Sequence, residues 1–424
     1  MVLVARIFTA PLHIPIADRT VRSILTSLAG EQGRVDVGSV SLAFSKDSAF
    51  EIIVGEVAIR GPAGTLRAPR TVFDVSTRAL FSGEVRIHSI AIEKPELSVN
   101  YPMVAAGPPG SDAAERGPPL PVAFLPELEQ RLARLSTIAR TYGLATFRIV
   151  DGEVRVPVPD ARFPDRVFTA INGVARPEAD GDVSIDVRGE AASGNWRYAI
   201  DRSSHPDGSR LVAGGTGLGL TDIVNLPIIK SGFSLSPELT AWFSGDGKLD
   251  RARFQIGVDQ GVFKIANDPP RTVDRLLIAA TWDATTDVVR IEPIEIVAGS
   301  TLLTGTGTFT PPDDGSDTWR YSLNADTARI APDDVDGPPL DIPVLSVSGT
   351  IIPSRSYLTF DRFVARSVSG AMMGAGSFDF GPHGPNLAAA LSLSPMSAAT
   401  LMRLWPVTVG YEARKWVVDN VRSG

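Results

Sequence analysis

The chain has 424 residues, enough for several domains or one long repetitive body. Its 48 acidic residues against 41 Lys plus Arg leave a net charge of −7, without the basic field that a phosphate backbone requires, which argues against nucleic acid as a partner. No cysteine is present, so disulfides, thiolate chemistry and Cys-based metal sites are excluded, while 39 glycines and 33 prolines fall between apolar runs as turn punctuation.

The opening "MVLVARIFTAPLHIPIADRTV" is too short and too interrupted, by Arg6 and Pro11, to cross a membrane. In "IADRTVRSILTSLAG" the residues Val21, Ile24, Leu25 and Leu28 share one helical face. The period then changes to two. "RVDVGSVSLAF" and "FEIIVGEVAIRG" alternate apolar and polar residues, with a glycine turn predicted inside each, and "TVFDVSTRALFSGEVRIHSIAIEKPELSVN" continues the pattern. These strands predict a meandering antiparallel sheet with one apolar and one polar face.

"AGPPGSDAAERGPPLP", residues 106–121, has no periodic apolar face and reads as a boundary. The next segment places Leu125, Leu128, Leu132, Leu135 and Ile138 in one stripe, with Gly143 as a C-terminal stop, and predicts a helix over 125–141 that covers an end or edge of the sheet. Strands resume at "LATFRIVDGEVRVPV", where Asp151-Gly152 predicts a hairpin turn, and persist into the 390s. The chain closes on a predicted helix over 410–422, with Val409, Ala413, Trp416, Val417 and Val421 as its apolar stripe. The expected segments are 1–30, 31–104, 105–143, 144–400 and 401–424.

No catalytic constellation emerges. His13, His88, His205 and His383 are scattered without metal-ligand spacing, "GGTGLGL" at 214–220 lacks the residues of a phosphate loop, and the acids in "PPDDG" and "PDDVDG" lack calcium-loop spacing. The reading is therefore of a non-enzyme without metal or cofactor. An antiparallel sheet this long must hide its apolar face by sandwiching or by curling, and a curled sheet whose edges stay apart is a trough suited to acyl chains. By parity the lining is Phe50, Ile52 and Val54, then Val57 and Ile59 on the next strand after the glycine, then Phe73 and Val75, and then Ile87, Ile90 and Ile92. The competing reading is of ordinary β-domains with full cores and no trough.

The end segment "LWPVTVGYEARKWVVDNVRSG" resembles a "WP…R.W…N…G" pattern of the AsmA-like superfamily, in particular bacterial proteins with the YhdP-type central domain. Trp405, Pro406, Arg414, Trp416, Asn420 and Gly424 fall on that pattern as structural residues. Near the start, Leu80, Gly83, Ile87, Ile90, Ile92, Pro95 and Leu97 resemble the "L..G…I..I.I..P.L" phrase of the family's opening strands. The resemblance covers both ends and reaches the middle only by texture. It implies an elongated, twisted antiparallel sheet curled into a groove, in a periplasmic protein anchored to the inner membrane by an N-terminal helix. It further implies a conduit for glycerophospholipid between inner and outer membrane, with envelope proteins as possible partners. On this reading the chain carries only a stub of the anchor and ends part-way through the family's body, as an N-terminal fragment. The alternative function is a structural or assembly-assisting envelope protein with closed β cores.

Overall fold

The computed structural model describes residues 21–26, 33–44, 50–61, 64–76, 86–99, 124–157, 165–178, 180–223, 229–265, 270–312, 316–332, 335–355, 357–379, 386–405 and 411–421. The chain is mainly β with a few short helices, and it divides into two units. Unit 1 comprises residues up to Met103, Phe124–Leu218 and Ala241–Lys248; unit 2 comprises Val104–Ala123, Gly219–Thr240 and Leu249–Gly424. The segment expected as one body over 144–400 is thus shared between two units. Pro11, His13, Leu28, Leu80, Gly83, the boundary segment 106–121, His383, Pro406, Val409 and Gly424 lie outside the described residues.

Unit 1 begins with a helical segment at 21–26, followed by β1 (Arg34–Val37), β2 (Val40–Phe44), β3 (Phe50–Gly61), β4 (Gly64–Val75), β5 (Ile87–Glu93) and β6 (Glu96–Val99). After the helix Leu125–Tyr142 come β7 (Thr146–Val156), β8 (Arg166–Pro177), β9 (Val183–Ala191), β10 (Gly194–His205) and β11 (Gly208–Thr216). Most pairings are antiparallel, as alternation predicts, but β7 runs parallel to β5 and β6. The sheet is therefore mixed. The reason is the helix: a crossover of this length returns the chain in the same direction, which a tight hairpin cannot do.

Two residue pairs that read as turns lie inside single strands. Val57 and Ile59 continue on β3, whose register against β4 is unbroken from Phe50 to Gly61, and Val57 is buried again just after Glu56, which adopts φ 53°. Asp151-Gly152 likewise lies inside β7, with Asp151 at φ 55°, its N–H donating to Asn172 Oδ1, and register shifts against β8 on both sides. Asp and Gly tolerate a left-handed backbone in a bulge as readily as in a hairpin.

The Leu125–Tyr142 helix ends at Gly143, φ 75°, whose N–H donates to the Ala139 carbonyl. Of the predicted stripe Leu125, Leu132 and Ile138 are buried, together with Glu129, Ser136 and Ala139, while Leu128 and Leu135 are only half-buried. The buried side differs from the predicted stripe chiefly in that Glu129 is held inside unit 1. Arg202 of β10 donates to both Glu129 carboxylate oxygens through Nε at 3.0 Å, to Oε1 through Nη2 at 2.7 Å, and to the Gly181 carbonyl through Nη1 at 2.6 Å. Ser209 of β11 adds a hydroxyl donor to Glu129 Oε1 at 2.6 Å.

In chain order there follow β12 (Leu218–Gly219), a helical turn Leu220–Ile223, β13 (Ile229–Ser231) and β14 (Ser234–Ser244). Unit 2 then runs through β15 (Leu249–Ile265), β16 (Arg271–Asp283), β17 (Val288–Ala298), β18 (Thr301–Thr310), β19 (Trp319–Ile330) and β20 (Leu340–Asp341). It continues with β21 (Val344–Ile352), β22 (Tyr357–Ser367), β23 (Gly370–Asp379) and β24 (Asn386–Leu393), and closes with the helices Ala398–Leu404 and Tyr411–Asn420. From β15 to β24 each long strand pairs antiparallel with its neighbours. The first of the closing helices is absent from the sequence expectation; Ser397 caps it, its hydroxyl accepting from the Thr400 N–H.

Candidate functional site

The residues expected to line a trough form a closed core instead. Ile52, Val54, Val57, Phe73, Val75, Ile87, Ile90 and Ile92 are buried, and Phe50 and Ile59 pack against them half-buried. Val21, Ile24 and Leu25 of the 21–26 helix, and Ile138, Ala139 and Leu144 at the end of the Leu125–Tyr142 helix, belong to the same cluster. Parity identified the shared face correctly. What it could not show is that two amphipathic helices cover that face, which removes these ten residues as an open lining.

Unit 2 carries an apolar face that the Ala398–Leu404 helix covers only in part, where Phe363 and Ala325 pack against the cluster that contains Leu404. Cross-strand partners in a sheet point to the same side, so successive registers trace lanes across it. One lane runs Phe254, Ala280, Ile291, Gly307, Leu323, Val347, Phe363, Gly374 and Leu391, one residue on each of nine strands from β15 to β24. All nine are apolar or glycine, and none is buried: the two end members, Phe254 and Leu391, are exposed and the rest half-buried. At a strand spacing of about 4.8 Å the lane extends for roughly 40 Å. A second lane, Ile256, Ile278, Ile294, Gly305 and Ala325, runs beside it. The other side is mostly polar: Arg290, Thr308, Ser322, Ser348 and Arg362 are successive partners there.

Bulges keep this face apolar where the sequence breaks alternation. Ile291 and Ile294 stay on one side because the register shifts at Glu292-Pro293, and Phe360 and Phe363 because it shifts at Asp361-Arg362. In both cases the looped-out residues are polar or proline, and all four are exposed or at a bend in the ladder. Large side chains lie flat over the glycines: a Cβ on Gly307 would stand 2.3 Å from Leu323 Cδ2, and one on Gly376 would stand 2.3 Å from Phe360 Cζ. The glycines thus let bulky neighbours spread along the sheet rather than project from it.

The margins of the face are closed. At one, Trp282, Trp319 and Tyr321 are buried, and the Tyr321 hydroxyl donates to the Thr359 carbonyl at 2.8 Å. Burial, followed by the nearby Asp361 charge, pushes its phenol up to about 12. At the other, Leu404 of the Ala398–Leu404 helix joins Ala328, Leu340, Ile342, Ala365 and Met372 in a core. At the β24 edge, Leu387, Leu391 and Leu393 share the apolar side and are all exposed.

The terminal pattern residues divide by role. Arg414 is 1% exposed and donates to the Trp405 carbonyl through Nε at 3.2 Å and to the Met402 carbonyl through Nη2 at 2.8 Å. It therefore ties the last helix to the end of the preceding one, satisfying carbonyls that a helix C-terminus leaves without internal partners. Burial, and then the charge of Arg271, holds its pKa below the ordinary value. Trp405 is half-buried, and Asn420 donates to the Trp416 carbonyl one turn back. Trp416 is 62% exposed, Ala413 and Val421 are exposed beside it and Val417 is half-buried, so most of the predicted apolar stripe faces outward and Arg414 turns inward. Replacing Arg414 by Ala is expected to cost about 2–3 kcal/mol, because buried carbonyls lose a charged donor. Faster hydrogen exchange at 411–420 would report it, and unchanged protection would contradict this role.

His88 and His205 are exposed on separate strands, and no group of three or more metal-ligating side chains occurs among the described residues. Among the same residues no helix is long and apolar enough to cross a membrane. No protein-family model, curated protein or solved structure matches the chain.

Proposed function

We propose that the chain is a non-enzymatic lipid-binding protein whose acyl-chain site is the apolar face of β15 to β24, curled as a groove. The observation that carries this reading is the lane from Phe254 to Leu391: nine laterally paired strands present apolar or glycine positions to one side, and none of those positions is buried. Such a surface gains roughly 0.8 kcal/mol for each methylene it removes from water, while a polar headgroup stays at the rim. Glycerophospholipid is the ligand proposed, with little headgroup selection by the lane itself. The AsmA-like resemblance supplies the setting: a periplasmic body, anchored to the inner membrane, that passes phospholipid toward the outer membrane.

Val347→Asp and Leu323→Asp, in the middle of the lane, test this directly. Uptake of a fluorescent phospholipid should fall at least about tenfold, since a charge there opposes acyl contact by more than about 1.4 kcal/mol. The melting temperature should shift little, because both side chains are part-solvated already. Purified protein that carries no phospholipid by mass spectrometry and takes up none would overturn the proposal. A structural or assembly-assisting role with closed cores is the second reading, and the filled core of unit 1 favours it for that unit.

A further inference from the structure

Unit 1 has a cleft of about 430 Å³ on the side of its sheet facing away from the helix-covered core. Arg148 of β7, Arg176 of β8, Arg188 of β9 and Arg197 of β10 line it together with a single carboxylate, Asp186. The registers explain the convergence: Arg148 opposes Val174, Val174 opposes Asp186, and Arg188 opposes Arg197 directly. Like charges facing each other across a sheet are unfavourable unless something negative lies between them. Asp186 meets part of that demand. It accepts from Arg197 Nε at 3.3 Å and also from Nη2, and its carboxyl is held below the usual range by Arg197 first and by the charges of Arg176 and Arg188 in addition. Arg148 reaches Asp74 only at 4.0 Å, and neither Arg176 nor Arg188 has a carboxylate within ion-pair distance among the described residues. An adjoining cleft of about 470 Å³ shares Arg188 and Arg197 and adds Glu190, which bounds the cationic region on that side.

We propose that this arginine-lined cleft binds a phosphate-bearing anion, whether free phosphate or a phosphate group on a lipid. Four planar guanidiniums can offer paired N–H donors to phosphate oxygens, a geometry that phosphate fills better than a monovalent halide does. The site is independent of the apolar lane, which belongs to unit 2.

The experiment uses the full chain at low ionic strength, because exposed charges are screened by salt. Inorganic phosphate is titrated calorimetrically. In parallel, co-flotation is measured with vesicles of phosphatidylcholine alone and of phosphatidylcholine containing phosphatidic acid. The doubly substituted Arg176→Gln/Arg188→Gln chain should bind about tenfold more weakly, and Asp186→Asn should bind more tightly by freeing Arg197. These side chains lie at the surface of the sheet, so unchanged melting temperatures accompany the result. Binding of inorganic phosphate that follows this order supports a soluble source, and binding confined to phosphatidic acid vesicles in the same order supports a headgroup. Binding of neither probe, or binding indifferent to all three arginine and aspartate substitutions, overturns the proposal.

Discussion

Ile90→Asp, and equally Ile52→Asp, is expected to unfold or severely weaken unit 1. Both side chains are 1% exposed within a cluster closed by the 21–26 and Leu125–Tyr142 helices, so a carboxylate there has neither water nor a cation. Keeping it neutral requires raising its pKa by about 3 units or more, equivalent to about 4 kcal/mol at neutral pH, in addition to the lost packing of the isoleucine. The pH dependence follows from the sign of that shift. Below about pH 4 the carboxyl is protonated in both folded and unfolded chains, and only the packing loss remains. As pH rises, the unfolded chain ionises first and stability falls until the raised folded pKa is reached. The gap in melting temperature between parent and variant should therefore be wider at pH 7 than at pH 4. Normal folding at pH 7 with an unchanged melting temperature would show that this face is open after all. Set beside Val347→Asp, which should fold but lose lipid uptake, the pair separates core from binding surface.

The second large effect is expected at the buried ion pair. Arg202→Ala leaves Glu129, 6% exposed, without its cation and should destabilise unit 1 by about 3–5 kcal/mol. Glu129→Ala strands the guanidinium in the same way, although Arg202 keeps its bond to the Gly181 carbonyl. Replacing both partners by apolar residues of similar size, Glu129→Leu with Arg202→Met, should recover most of the loss, because the cost of a broken buried pair is largely that of the orphaned charge. Chemical denaturation of the two single variants and the double variant gives the coupling energy. Additive losses would mean that the two side chains act separately and that the helix is held by its apolar stripe alone.

The amino-acid sequence by itself determined strand content, the alternating faces and the Leu125–Tyr142 helix with its Gly143 stop, because these depend on period and on local backbone preference. It also marked breaks in alternation at Gly55-Glu56 and Asp151-Gly152. Whether a break turns the chain or bulges it depends on the partners that wait across the neighbouring strands, and that is a property of the assembled sheet. The same holds for Glu129, whose place in a helix of leucines reads as solvent-facing until Arg202, 73 residues away, is brought against it. The candidate site was displaced for a related reason. Apolar parity is the same in strands 50–92 and in strands 252–391, and only the packing decides which of the two faces is covered. The sequence did contain a partial signal: amphipathic helices flank the first set, while none is legible between 249 and 393. A sheet face that a single short helix covers only in part must find the rest of its cover from another layer or from a ligand, and the tertiary structure shows which lanes the protein's own side chains leave unburied.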